Sequence, residues 1–171
     1  MALIEARGVS FGYNGTPLFQ DINFNIEPGE LFCLLGPNGC GKTTLLDCIL
    51  GHLKPLSGEI LLNGSSINRI RPEHIARQIA YVPQTHEKTF PYTVLDVILM
   101  GRAAYIGMFG RPEEEDVAIA EEALATVGIT HLRGRRYTQL SGGEVQLVMV
   151  ARALAQKTPF IVMDEPTAHL D

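Results

Sequence analysis

The sequence predicts an α/β fold, and three observations carry that prediction. A continuous apolar run at residues 31–35 leads without a break into the glycine-rich stretch Gly36-Pro-Asn-Gly-Cys-Gly-Lys-Thr, and a helical pattern follows. A second apolar run at residues 160–163 ends in the adjacent carboxylates Asp164 and Glu165. A helix-rich middle lies between β-rich flanks. Wholly apolar strands alternating with helices are what a parallel sheet covered on both faces requires.

Taken in order, residues 3–35 are β-rich. Ile22, Phe24 and Ile26 alternate with Asp21, Asn23 and Asn25, the period-two pattern of a strand with one buried face. Pro28-Gly29-Glu30 turns the chain, and residues 31–35 predict a strand buried on both faces. From Thr43, Leu45, Leu46, Ile49 and Leu50 recur at helical spacing, with Gly51 as the stop signal. Ser57-Gly58 and Asn63-Gly64 bracket a short strand at 59–62. Residues 72–78 predict a short helix, 79–83 a strand, and 93–102 and 112–127 two more helices. The last of these places Val117, Ala120, Leu124 and Val127 on one face. It opens on Glu113, Glu114 and Glu115, where the positive end of the helix dipole favours carboxylates. Residues 145–155 continue as an apolar-rich helix and 160–163 as a buried strand.

The chain has 171 residues, 46% hydrophobic and 19% charged, with Lys+Arg 14 against Asp+Glu 19 and a net charge of -5. That length allows one domain with its own core, with room for a small subdomain. The acidic balance argues against a nucleic-acid coat or an anionic membrane surface. Arg133, Arg135 and Arg136 are the local exception; they fit a solvated turn first and a partner contact second. Cys33, Cys40 and Cys48 show no Cys-x-x-Cys spacing, which speaks against a disulfide framework or a zinc site and for a reducing compartment. Residues 1–7 do not read as a secretory leader, and no apolar run approaches the ~18 residues that span a bilayer.

The glycine-rich stretch matches G-x-x-x-x-G-K-[ST]. Its glycines let successive backbone N–H groups surround phosphate oxygens, and the following helix adds its partial positive charge. Lys42 supplies a cation for the β- and γ-phosphates, and the Thr43 hydroxyl can ligate Mg²⁺. Asp164 and Glu165 stand where an α/β sheet places its ligand, at a strand end. Asp164 suits Mg²⁺ through water, and Glu165 suits orienting or deprotonating an attacking water. These two elements predict a nucleotide triphosphatase. A third, Leu140-Ser-Gly-Gly-Glu, places a hydroxyl and two glycines at another helix start. One loop already satisfies one triphosphate, so a second phosphate-seeking helix start suggests a nucleotide shared between two chains.

The ordered set of phosphate loop, Tyr-Val-Pro-Gln at 81–84, Leu-Ser-Gly-Gly-Glu at 140–144 and Met-Asp-Glu-Pro-Thr at 163–167 resembles the ATP-binding cassette (ABC) ATPases over essentially all of residues 1–171. The resemblance implies a P-loop NTPase core with a mixed sheet, an N-terminal antiparallel β subdomain, and a helical subdomain inserted at about 85–150. It implies ATP and Mg²⁺ as ligands. Tyr13 would stack on adenine, and Gly36, Pro37, Asn38, Gly39, Cys40, Gly41, Lys42, Thr43 and Thr44 would hold the phosphates. Ser141 and Gly143, within a motif that includes Gly142 and Glu144, would meet the γ-phosphate of ATP on an opposing subunit. Thr43, Gln84 and Asp164 would serve the metal, and Glu165, Gln84 and Lys42 catalysis. Asp171 falls in the loop that communicates between sites. His169 is not the family's switch histidine, which is expected beyond residue 171 together with flanking core strands.

Within that family, residues 38–46, 90–102 and 140–147 resemble the ATPase subunits of importers for iron-siderophore, haem, cobalamin and, in some members, molybdate. Residues 90–102 correspond to the region that receives a coupling helix from a membrane partner. Val145 stands where many relatives carry arginine, and Ala168-His-Leu-Asp replaces the commoner Ser-Ala-Leu-Asp. The resemblance implies a head-to-tail homodimer on permease subunits, served indirectly by a periplasmic or extracellular substrate-binding protein. It implies no nucleic-acid partner and a peripheral place on the cytoplasmic face of the membrane. Two alternatives are a soluble cassette ATPase of DNA repair or translation, and an incomplete piece that binds nucleotide poorly. Cys40 reads first as a small loop filler, and second as a thiol whose oxidation impairs ATP binding. Cys33 and Cys48 read as core residues.

Overall fold

Strands β1 (Ile4–Tyr13) and β2 (Thr16–Ile26) pair antiparallel across a two-residue turn. Asn14 and Gly15 both take positive φ, 49° and 78°, the primed-turn conformation whose twist matches the flanking strands. The inward side chains of β1 are Ile4 and Ala6, then Val9 and Phe11, so the alternation changes parity at Gly8. A bulge makes that change: Ala6 faces Phe24 and Val9 faces Ile22, three steps against two. Gly8 adopts φ +57° and donates its N–H to Asn23 Oδ1 at 2.7 Å. Without the extra residue Val9 and Phe11 would point to solvent.

The structure, a computed structural model, describes residues 2–84, 91–106 and 110–165, and the chain divides into two units, Met1–Ile75 and Ala76–Asp171. In the first, β3 (Ser57–Leu62) and β4 (Ser65–Ser66) complete an antiparallel sheet in the order β2-β1-β3-β4. Helix α1 (Lys42–Ile49) buries Leu45, Cys48 and Ile49, and the short α2 (Pro72–Ala76) buries Ile75. The 22/24/26 alternation, the 28–30 turn and the 59–62 strand are all present.

Residues 31–35 depart from expectation. The run pairs with no strand among the described residues, and Leu31 and Leu35 are 92% and 90% exposed. Phe32 stacks on Phe24 of β2 at 5.0 Å, while Cys33, expected in the core, is exposed. An apolar run states a preference for burial but does not supply the neighbouring strands that would take its N–H and C=O groups. Cys48 is fully buried, and burial pushes its thiol up to about 11.

In the second unit β5 (Ile79–Val82) and β6 (Phe160–Met163) pair in parallel, Ile79 facing Phe160 and Val82 facing Met163. Parallel strands need a crossover, and here it contains α3 (Val94–Leu99), α4 (Glu114–Val127) and α5 (Gly142–Ala155). Val94, Ile98, Leu124, Leu132, Val148 and Met149 form the buried centre of that unit. Each of these helices opens with a capping box: Thr93 with Asp96, Glu113 with Asp116, Ser141 with Glu144. The expected helix at 93–102 stops at Leu99, and residues Met100–Arg102 tighten into a 3₁₀ turn. Strand β6 is less buried than expected. Phe160 and Ile161 are half-buried and Met163 is exposed, because β5 is its one partner among the described residues. No helix among the described residues is long and apolar enough to cross a membrane.

Candidate functional site

In residues 36–44 the loop conformation follows from its glycines. Gly39 and Gly41 adopt φ +81° and +97°, values that a side chain strongly disfavours. Gly41 caps α1 from the left-handed region, and a Cβ there would lie 2.9 Å from Leu18 and Phe19. Helix α1 has no side-chain cap and no acidic residue in its first turn. It differs in this from α3, α4 and α5, whose first turns each carry the carboxylate of a capping box. The first-turn N–H groups of α1, with its dipole, favour an anion, and the helix carries neither a side-chain cap nor an acidic first-turn residue of its own. Lys42 Nζ donates to Gly36 O at 2.9 Å and Pro37 O at 3.1 Å, so its charge lies against the loop itself. Cys40 is exposed, with its Sγ 2.7 Å from where a Cβ on Gly36 would stand. Asn38 is exposed in the loop turn, Thr43 is exposed, and Thr44 is half-buried. Tyr13, at the end of β1, is 55% exposed and edge-on to Phe11 at 5.1 Å.

The parallel register of β5 and β6 places a second set of groups. Val82 and Met163 are level, so Gln84 beyond β5, and Asp164 and Glu165 beyond β6, leave the pair at its C-terminal edge, where α/β sheets bind ligands. Gln84 Nε2 donates to Glu165 Oε2 at 2.5 Å. Asp164 is 4% exposed, and its N–H continues the pairing to Val82 O at 3.0 Å. Glu165 is exposed and takes φ +46°, a left-handed conformation that costs a non-glycine residue about 1–2 kcal/mol. The sequence singled out Glu165 by its place after an apolar run but carried no signal of this backbone conformation.

At the start of α5, Ser141 Oγ accepts the Glu144 N–H at 3.3 Å, and Glu144 Oε2 accepts the Ser141 N–H at 2.7 Å. Accepting that bond leaves the serine hydroxyl proton free to donate to an anion. The bonds from Ser141, first backbone and then side chain, hold the Glu144 carboxyl below the ordinary carboxylate range. Arg135 Nη1 meets Glu144 Oε1 at 3.1 Å, a pairing that residue spacing alone did not single out. Gly142 and Gly143 open the helix behind Ser141.

Thus the loop residues and Tyr13 belong to the first unit, and Gln84, Asp164, Glu165 and the 140–144 motif to the second. Pro166, Thr167, His169 and Asp171, like Phe90 at the head of the 90–102 stretch, lie outside the described residues. Among the described residues no three His, Cys, Asp or Glu side chains gather as a metal cage. Mg²⁺ needs none, since one or two carboxylates, a hydroxyl and phosphate oxygens suffice. The Thr43 hydroxyl in the first unit and the buried Asp164 carboxylate in the second are each an oxygen group of the type Mg²⁺ accepts.

Known proteins resemble this chain along nearly all of it. The family model described as ABC transporter matches residues 19–168. An uncharacterised ABC transporter ATP-binding protein of Haemophilus influenzae is 45% identical over 99% of this chain and 64% of its own length. The molybdate import ATP-binding protein MolC of the same organism is 42% identical over 90% of this chain and 56% of its own length. The hemin import ATP-binding protein HmuV of Nocardia farcinica is 42% identical over 99% and 57%. In three dimensions, an ATP-binding cassette of an ABC transporter in its ADP conformation superimposes with a TM-score of 0.85 at 28% identity, covering 98% of this chain and 70% of that one. The chain spans between 56% and 64% of the length of these curated relatives.

Proposed function

This chain belongs to the ABC transporter family, and from that membership we propose that it binds and hydrolyses ATP to power import of a metal chelate or molybdate through a membrane permease. The ligand class rests on relatives named for molybdate and hemin import. Two copies would close head-to-tail over two nucleotides on the cytoplasmic side of the permease.

The observation that carries the hydrolytic part is the hydrogen bond from Gln84 to Glu165 at the C-terminal edge of β5 and β6. A base must be held before it can be useful. Donation from the amide fixes one carboxylate oxygen of Glu165 and leaves the other to accept a proton from water. The uncapped start of α1 and the loop N–H groups receive phosphate oxygens. Lys42 then exchanges its carbonyl partners Gly36 and Pro37 for phosphate, so charge stabilisation is in place before the reaction begins. Tyr13 offers a ring to the base of the nucleotide, and Ser141 and Gly143 offer donors to the nucleotide of the second copy. Thr43, Gln84 and Asp164 would each offer Mg²⁺ an oxygen, and the ion would neutralise phosphate charge.

Assembly of the protein with its permease in proteoliposomes tests the reading. One of haem, ferric siderophore, cobalamin or molybdate should accumulate only when ATP is present. Hydrolysis without ATP-dependent uptake of any of the four would point instead to a non-transport cassette ATPase.

A further inference from the structure

The start of α3 is fastened to the segment that precedes the Leu-Ser-Gly-Gly motif. Val94 N–H donates to Arg135 O at 3.0 Å, Leu95 N–H to Arg133 O at 3.1 Å, and Tyr137 N–H to Tyr92 O at 2.8 Å. Thr93 and Arg136 form an antiparallel bridge. Two of the N–H groups that a helix start leaves without intrahelical partners are thus satisfied by this one short segment. The residue whose carbonyl takes Val94 N–H also reaches the other way. Arg135 Nη1 donates to Glu144 Oε1 at 3.1 Å and Nη2 to Gln139 O at 3.4 Å. Glu144 in turn holds Ser141 through both halves of the capping box. A continuous chain of polar contacts runs from the first turn of α3, through one arginine, to the first turn of α5.

We propose that Arg135 is a positioning residue that links the start of α3 to the phosphate-facing end of α5, setting the orientation of Ser141 and Gly143 for the nucleotide of the second copy. The inference rests on the reading of residues 141–143 given above and deepens it. The pair is half exposed, 47% at Arg135 and 28% at Glu144, and exposed pairs of this kind contribute little to stability. Its place at the junction of two helix starts therefore reflects orientation more than folding. A shift of α3 against its neighbours moves Arg135 O, and the same residue's guanidinium carries that shift to the Glu144 carboxylate.

The test uses the full-length protein assembled with its permease, and reads kcat and KM for ATP together with Tm. Arg135→Gln should lower kcat about five- to tenfold, the scale of a lost charge-assisted contact, with KM for ATP and Tm almost unchanged. Arg135→Lys should recover much of the loss. Glu144→Gln keeps a capping-box side chain but removes the charge that Arg135 meets, so the double variant should be no slower than Arg135→Gln alone. Gly143→Asp serves as the reference and should abolish hydrolysis. If Gly143→Asp is inactive while Arg135→Gln is normal, or while the Arg135 and Glu144 losses multiply, the positioning role is wrong and the reading of the motif survives. A kcat loss that tracks a fall in Tm and is not recovered by lysine also overturns the positioning role. Normal hydrolysis by Gly143→Asp would remove the reading of residues 141–143 and this inference with it.

Discussion

Gly41 shows how much of the proposed phosphate seat depends on one missing side chain. Its φ of +97° and the 2.9 Å approach to Leu18 and Phe19 act together, so alanine there strains the backbone and collides with the hairpin. Gly41→Ala should cost about 2–3 kcal/mol in chemical denaturation and abolish ATP binding measured by titration calorimetry. A variant of wild-type stability that still binds ATP would show that the loop tolerates another conformation. The identity of this residue was legible from the motif spacing. Glu165 is the contrary case: its position after an apolar run was readable, but its left-handed backbone and its bond from Gln84 join residues 81 positions apart, and spacing patterns report only local geometry.

At the scale of elements, the helices show what sequence reveals and what it conceals. The apolar face of α4 was legible in part: of Val117, Ala120, Leu124 and Val127, which recur at helical spacing, Ala120 and Leu124 are buried and the two valines are half-buried. The polar device at its start was not. Asp116 is buried, accepts Arg102 Nε at 2.9 Å, and closes a capping box with Glu113. Arg102 also donates to Ala155 O at 3.1 Å and lies over the Tyr105 ring at 4.1 Å. One ion pair thereby fastens the end of the 100–102 turn to α4 and to the end of α5, three segments far apart in sequence. The bond from Arg102, and then that from Glu113, hold the Asp116 carboxyl below its ordinary range. A depressed carboxyl stabilises the fold fully above the ordinary pKa of about 4 and loses that contribution as pH falls through the lower folded value. Asp116→Asn should cost about 3 kcal/mol at neutral pH, because it leaves the Arg102 charge buried without its partner. Its deficit relative to wild type should shrink below pH 4 in urea denaturation. A deficit independent of pH would assign the loss to packing.

For the whole molecule, family membership and the mixed α/β class were readable because the motifs are local and ordered. The antiparallel sheet was an implication of the resemblance, and the structure contains it as β2-β1-β3-β4. What sequence did not settle was pairing. Residues 31–35 are as apolar as any strand in the chain, yet Leu31 and Leu35 face solvent, because a strand is a property of its neighbours as well as of its own side chains. Residues 160–163 found a partner in β5 and only partial burial. The candidate residues likewise fall in separate units of the chain, the glycine-rich loop in the first and Gln84, Asp164 and Glu165 in the second. In the proposed function the loop binds ATP and Glu165 serves as the base for its hydrolysis. The most direct measurement compares wild type with Glu165→Gln in the full-length protein, following ATP affinity and steady-state phosphate release in parallel. Affinity should be unchanged and turnover reduced at least about a hundredfold, the scale of losing a positioned general base. Phosphate release at the wild-type rate by Glu165→Gln would contradict it.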